Sequence, residues 1–103
     1  MSRGPDAGVR LERALVASAA QAGCAVTIAD ATWVRWASAT FTGARHTLWL
    51  TAGAGAALDR WLGNLPEAEI SVRESLVADL AVKSVARTGG EARITLEALT
   101  VEA

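Results

Sequence analysis

The chain has 103 residues, of which 51% are hydrophobic, and a formal net charge of −1; this length fits one domain with its own core. Its ten Lys and Arg residues are scattered rather than gathered into a basic stripe, so we expect no nucleic-acid binding. There is no run of 18 apolar residues, so we expect no membrane span within this chain.

The first 23 residues predict a loose N-terminal segment followed by a helix. Residues 1–8 contain Gly and Pro and are expected to be loose, with Asp6 as the helix N-cap. Apolar residues then recur at helical spacing: Leu11, Leu15, Ala19 and Ala22. Gly23 supplies the left-handed residue that commonly ends a helix.

A β-hairpin is predicted next, from Val26 to Thr51. Its apolar residues change parity before Trp33, which predicts a bulge near Asp30. We take Gly43-Ala44 as the tight turn, so that Phe41 lies opposite His46 and their face meets the helices. The opposite, open face then carries the following side chains: Trp36, Ser38, Thr40, Thr47, Trp49 and Thr51.

The second half of the chain repeats this order. The apolar stripe of a second helix consists of Ala54, Leu58, Trp61, Leu62 and Leu65. A third strand is expected to open at residues 69–72 and to resume over residues 76–85. Gly89-Gly90 is a strong two-residue hairpin turn. In the fourth strand, the parity change at Leu99 predicts another bulge or a frayed end.

The predicted fold is a single α+β domain made of two αββ units, residues 9–52 and residues 53–103. We expect a two-layer sandwich, in which both helices pack on one face of a four-stranded antiparallel sheet. The order αββαββ is that of a ferredoxin-like sandwich whose first strand has moved to the end, that is, a circular permutation.

Some packing positions of residues 45–97 form a recognisable series. These are Leu48 and Leu50, Leu58-x-x-Trp61-Leu62-x-x-Leu65, Ile70-x-Val72, the turn Gly89-Gly90, and Ala92-x-Ile94-x-Leu96. In this series the chain resembles the periplasmic domain of the type II secretion M subunit and the related pilus-assembly O subunit. The resemblance implies a component of an inner-membrane platform, located in the periplasm. Members of that family also carry an N-terminal membrane helix and a coiled segment, which this sequence does not show. We therefore expect either an excised domain or a likeness of fold only, and in the second case a cytoplasmic protein.

Residue chemistry predicts no catalytic, metal or cofactor site. The lone Cys24 is interpreted as a small buried hydrophobe, with a thiol nucleophile or an intermolecular disulfide as the alternatives. His46 is interpreted as a structural or rim residue, since no carboxylate is placed to orient it as a general base. The loop Gly53-Ala54-Gly55 carries Gly-x-Gly, but Leu58 takes the place of the third glycine of a dinucleotide-binding loop. The acidic residues show no metal-loop spacing.

The four tryptophans are the strongest candidates for a functional surface. We place Trp61 and Trp33 in the core, and Trp36 and Trp49 on the open face as a diagonal pair. Exposed aromatic residues mark interfaces. A register error of one residue would instead turn Trp36 and Trp49 into the core. The predicted interface consists of Trp36, Trp49, Thr40 and Thr47.

Two functions fit these features. The leading hypothesis is a non-catalytic scaffold domain that binds proteins as a homodimer or in a hetero-assembly. The alternative is a small-molecule binding domain or enzyme that uses the open sheet face. In that case Trp36 and Trp49 would stack on the ligand, and His46 or Arg45 would be the polar handle.

Overall fold

The computed structural model describes residues 7–102, which form two α-helices, one 3₁₀ turn and four strands. In chain order these are α1 (Ala7–Gln21), β1 (Val26–Ala37), β2 (Thr42–Gly53), α2 (Ala56–Asn64), the 3₁₀ turn (Leu65–Glu67), β3 (Ser75–Thr88) and β4 (Glu91–Glu102). All neighbouring strands are antiparallel, in the order β1-β2-β4-β3. The predicted element order αββαββ is therefore confirmed.

Helix α1 follows its predicted stripe. Leu11, Leu15 and Ala19 are fully buried, whereas Ala22 lies beyond the helix and is exposed. Gly23 has a φ of 88° and ends the helix, and the amide of Cys24 donates to the Ala19 carbonyl at 3.0 Å. The predicted N-cap, Asp6, lies outside the described residues, and positions 7 and 8 already belong to α1.

Strand β1 contains the predicted bulge. The register with β2 shifts between Ile28 and Asp30, which lets Val26 and Ala31 both face the helices in spite of their different parity. Beyond the bulge the pairing continues without a break to Ala37, which lies opposite Thr42. The bulge thus sets which side chains of β1 reach the core.

The turn of the first hairpin is not at Gly43-Ala44, so that prediction is wrong. The loop consists of residues 38–41, and Ser38 holds it: its amide donates to the Phe41 carbonyl at 2.7 Å, and its Oγ accepts from the Phe41 amide at 3.1 Å. His46 consequently lies opposite Trp33 rather than Phe41. The predicted pairing of β1 with β2 is wrong by an even number of residues, so the side chains of β2 still lie on the faces that were predicted.

The second hairpin turns where expected, but its bulges lie in β3 rather than in β4. Gly89 and Gly90 have φ values of 58° and 85° and join β3 to β4. Strand β3 begins at Ser75 rather than at position 69, after an isolated bridge between Val72 and Ser75. The bulge or frayed end expected in β4 is wrong, since its register with β2 is unbroken from Glu91 to Val101; the two bulges lie in β3.

Both helices pack on one face of the sheet, as predicted. Leu15 of α1 and Leu58 of α2 belong to the same buried cluster as Leu48 of β2 and Leu96 of β4. Trp61 is 5% exposed, so its predicted place in the core is confirmed; its Nε1 donates to Ser18 Oγ of α1 at 3.0 Å. The α+β fold is thus established, while duplication and circular permutation stay predictions.

Candidate functional site

The face of the sheet turned away from the helices has an unusual distribution of apolar residues. At the end of the sheet near the first hairpin turn, neighbouring rows of the sheet carry apolar side chains on strands β1, β3 and β4. We call them the distal patch: Val34, Trp36, Leu76, Leu99 and Val101. Val34 is 69% exposed and Leu76 63% exposed, while the other three are partly buried by their neighbours.

The sheet register places the members of the distal patch in two adjacent rows. In one row Val34 lies opposite Arg45, which lies opposite Leu99, and Asp79 of β3 completes the row. Leu99 therefore sits between a cation and an anion on neighbouring strands. An apolar centre with charges beside it is the usual composition of a protein interface.

In the second row, Trp36 lies opposite Gly43, which lies opposite Val101, and Leu76 follows on β3. The indole covers the position where Gly43 has no side chain: an added Cβ at Gly43 would come within 3.0 Å of Trp36 Nε1. Trp36 Nε1 is buried, and no hydrogen-bond partner for it is found among residues 7–102. The ring is thus held by packing against the strand.

Trp49 lies on the same face but far from Trp36. It sits opposite Asp30 and Thr95 and is 38% exposed. Six residues of β2 separate it from Gly43, the neighbour of Trp36, which corresponds to about 20 Å along the strand. Both tryptophans are on the open face, but their predicted contact as a diagonal pair is wrong because the hairpin turns four residues earlier than expected.

The two threonines of the predicted interface have different locations. Thr47 lies on the open face, opposite Thr32 and Glu97. Thr40 lies in the 38–41 loop, where its amide donates to Ser38 Oγ at 3.4 Å, so it is not part of the sheet face. Trp36, Trp49 and Thr47 therefore share a surface, and Thr40 lies at its end.

His46 lies on the helix side of the sheet and is 3% exposed. Its Nε2 is 2.9 Å from Thr100 Oγ1, and that hydroxyl donates to the Ala44 carbonyl at 3.4 Å. Thr100 is 2% exposed, so both side chains are almost fully buried, at the inner wall of a cleft beside Trp33. Trp36 and Trp49 lie on the other side of the sheet, so His46 cannot serve as their polar handle; Arg45 is on their side.

Trp33 is 51% exposed, and its predicted place in the core is wrong. It is on the helix side, opposite His46, but beside Gly8 in the first turn of α1. Between these residues lies a small cleft of about 170 Å³, which also contacts Arg35. Ligand sites usually enclose about 300–1,000 Å³, so this cleft is small for a metabolite.

The remaining candidates, which are a reactive thiol, a phosphate-binding loop and a metal site, find little support in the structure. Cys24 packs half-buried against the core, and burial raises the pKa of its thiol, which makes the nucleophilic thiolate scarcer. The Ala54 amide of the Gly-x-Gly loop donates to the Gly90 carbonyl at 2.9 Å and so is not available to a phosphate. Among residues 7–102 there is no group of three or more His, Cys, Asp or Glu that could hold a metal ion.

Sequence reasoning missed four members of the distal patch: Val34, Leu76, Leu99 and Val101. The sequence contained a signal for this, because the apolar residues of β4 change parity at Leu99. Since β4 has no bulge, that change places apolar side chains on the open face. Neither helix of the described segment is long and apolar enough to cross a membrane. Comparison of the chain with protein-family models, with curated proteins and with solved structures finds no significant match.

Proposed function

We propose that this chain is a non-catalytic protein–protein interaction domain whose distal patch binds a different protein subunit. The observation that carries the proposal is that Val34 and Leu76, both more than 60% exposed, lie on the two outer strands of a sheet face that no helix covers, with Trp36 and Val101 between them. Contiguous exposed apolar surface of this kind marks interaction sites in proteins.

The energetics of the distal patch favour burial. Val34 and Leu76 expose about two thirds of their surface, and burying it would contribute roughly 1–2 kcal/mol for each side chain. The surface is also pre-formed, since it lies on paired strands and the Trp36 ring is packed over Gly43. A rigid surface loses little conformational entropy when a partner binds.

The charges beside the patch indicate the chemistry of the partner. Arg45 and Asp79 lie on either side of Leu99, so the complementary surface should carry an apolar centre between an acidic and a basic side chain. This requirement favours a folded protein surface over a nucleic acid, whose backbone offers only negative charge.

A more specific form of the proposal is a periplasmic subunit of an inner-membrane platform of the type II secretion or pilus-assembly kind. Its support is the αββαββ order and the packing series that includes Leu58, Trp61 and Leu62, which are buried in α2. These features describe a core rather than a binding surface. The identity of the bound subunit is therefore the test of this specific form.

Site-specific photo-crosslinking in the native cell tests the proposal. A photoreactive phenylalanine analogue at Leu76 should give a discrete adduct whose second chain, identified by mass spectrometry, is a different protein. The same analogue at Arg60, on the exposed side of α2, is the matched control and should give none.

The captured protein is then purified and its affinity measured. Leu99→Glu should weaken binding by tenfold or more, because it places a charge at the apolar centre, while Arg60→Glu should have no effect. Failure of Leu76 to crosslink, equal adducts from both positions, or an adduct of the chain with itself would contradict the proposal.

A further inference from the structure

The two outer strands of the sheet differ in how well they are protected from pairing with another chain. An outer strand exposes unpaired backbone groups, and proteins protect such edges with bulges and charges. Strand β3 has both: its register shifts between Val77 and Asp79 and again between Val82 and Ser84, and Lys83 lies at the second shift. The β3 edge is thus poorly suited to further pairing.

Strand β1, the other edge, is regular and apolar over residues 31–37. Its register with β2 is continuous over this stretch, so the backbone is a uniform template. Trp33 and Val34 are 51% and 69% exposed, and Arg35 is the one charged residue among these seven. This edge lacks the protection that β3 has.

Helix α1 extends the apolar surface beside β1. Val9 and Val16, seven residues apart on the helix, are each 37% exposed. Val9 lines a cleft with Trp33, and Val16 lines a groove with Ile28, so both valines border the β1 edge. A partner strand beside β1 would therefore meet apolar side chains on the helix side as well.

We infer that β1 pairs with β1 of a second copy of this chain, antiparallel and around a twofold axis at Val34. The two sheets then join into one sheet of eight strands. Val34 is the middle residue of the regular stretch 31–37, so this register uses the whole stretch and ends before the bulge on one side and the 38–41 loop on the other. Twofold-symmetric dimers, in which both copies use the same surface, are the commonest homo-oligomers.

The side chains also favour this register. Trp33 lies opposite the partner's Arg35, and since both are on the helix side of the sheet, each ring meets a guanidinium and forms a cation–π pair. Moving the centre to Arg35 would place two guanidinium groups face to face. Moving it to Trp33 would extend the pairing into the bulge next to Asp30.

This dimer shares only Val34 with the surface of the proposed function, and the tests at Leu76 distinguish the failure of one from the failure of the other. Val34 is shared, but Leu76 lies on β3, at the opposite edge of the sheet. The twofold axis brings the two distal patches together at Val34, so that the dimer would present one apolar surface of double width.

Analytical ultracentrifugation of the purified chain tests the inference. We expect a dimer at micromolar concentration. Val34→Glu should raise the dissociation constant at least about tenfold, because it places two carboxylates opposite each other at the axis. The fold should be retained, since Val34 is exposed and lies opposite Arg45. Val34→Thr keeps a branched neutral side chain and should remain dimeric.

A cysteine at the axis provides a second test that does not depend on affinity. In a Cys24→Ala background, Val34→Cys should form an interchain disulfide on mild oxidation, because opposite residues of antiparallel strands lie within disulfide distance. Ala86→Cys on the β3 edge should not form one. A monomeric chain, unchanged association of Val34→Glu, or dissociation by Leu76→Ser instead would overturn the inference.

Discussion

Gly43→Ala should be among the most damaging single-methyl additions in this protein. Gly43 lies in the central strand β2, opposite Val101 of β4 and beneath the Trp36 ring. A Cβ at this position would overlap the Thr100 carbonyl oxygen and lie 2.9 Å from the Thr100 carbonyl carbon and 3.0 Å from Trp36 Nε1. The obstacle is mainly backbone, so no rotamer change relieves it, and β2 and β4 must separate locally.

The expected loss combines overpacking with weakened pairing at the end of the central strands. Overpacking costs about 1–3 kcal/mol and each lost backbone hydrogen bond about 1 kcal/mol, so we expect about 3 kcal/mol. For a domain of this size this corresponds to a fall in melting temperature of about 15 °C. Urea denaturation followed by circular dichroism measures it. The matched control is Gly53→Ala in the same strand, where nothing lies within 4 Å of the added carbon. Equal stability of the two variants would refute the reasoning.

Three further changes test the core, the buried hydrogen bonds and α2. Trp61→Ala should cost about 3–5 kcal/mol in urea denaturation, because it empties a buried site and leaves Ser18 without its partner; a loss below about 1 kcal/mol would show that the ring is not in the core. Thr100→Val should cost about 1–3 kcal/mol, because His46 loses a buried hydrogen bond, and Thr100→Ser should restore most of it. Gly63→Ala should raise the unfolding free energy by about 0.5–1 kcal/mol, since the methyl meets no atom within 4 Å and favours the helix; a loss in thermal denaturation would contradict this.

The parts of the fold that depend on residues close together in the sequence could be predicted from the sequence. Gly23 and Gly89-Gly90 have positive φ values that few other residues adopt, so their sequence positions marked a helix end and a turn. Gly43 was misinterpreted because glycine also serves close backbone approach, and the Thr100 carbonyl that requires it comes from a strand distant in sequence. The actual loop depends on the Ser38 side chain, which is a weaker turn signal.

For the candidate site, strand periodicity predicted which face of the sheet each residue occupies, but it did not predict which residues lie beside one another across the strands. Trp36, Thr47 and Trp49 are on the open face as expected, because alternation survives an even error in register. The exposure of Trp33 could not be read from its own strand, since it depends on how far along the sheet α1 extends. The distal patch needed the pairing of β3 with β4, and the two bulges of β3 gave no signal in the sequence.

The strand order has a consequence for how the chain folds. The hairpins β1–β2 and β3–β4 join segments adjacent in sequence, and such hairpins form within about 1–10 µs. The central pairing of β2 with β4 instead brings together residues as far apart as Gly43 and Val101, which requires the closure of a long loop. Neither hairpin has a complete core until that closure, so we expect the docking of two preformed halves to limit the folding rate.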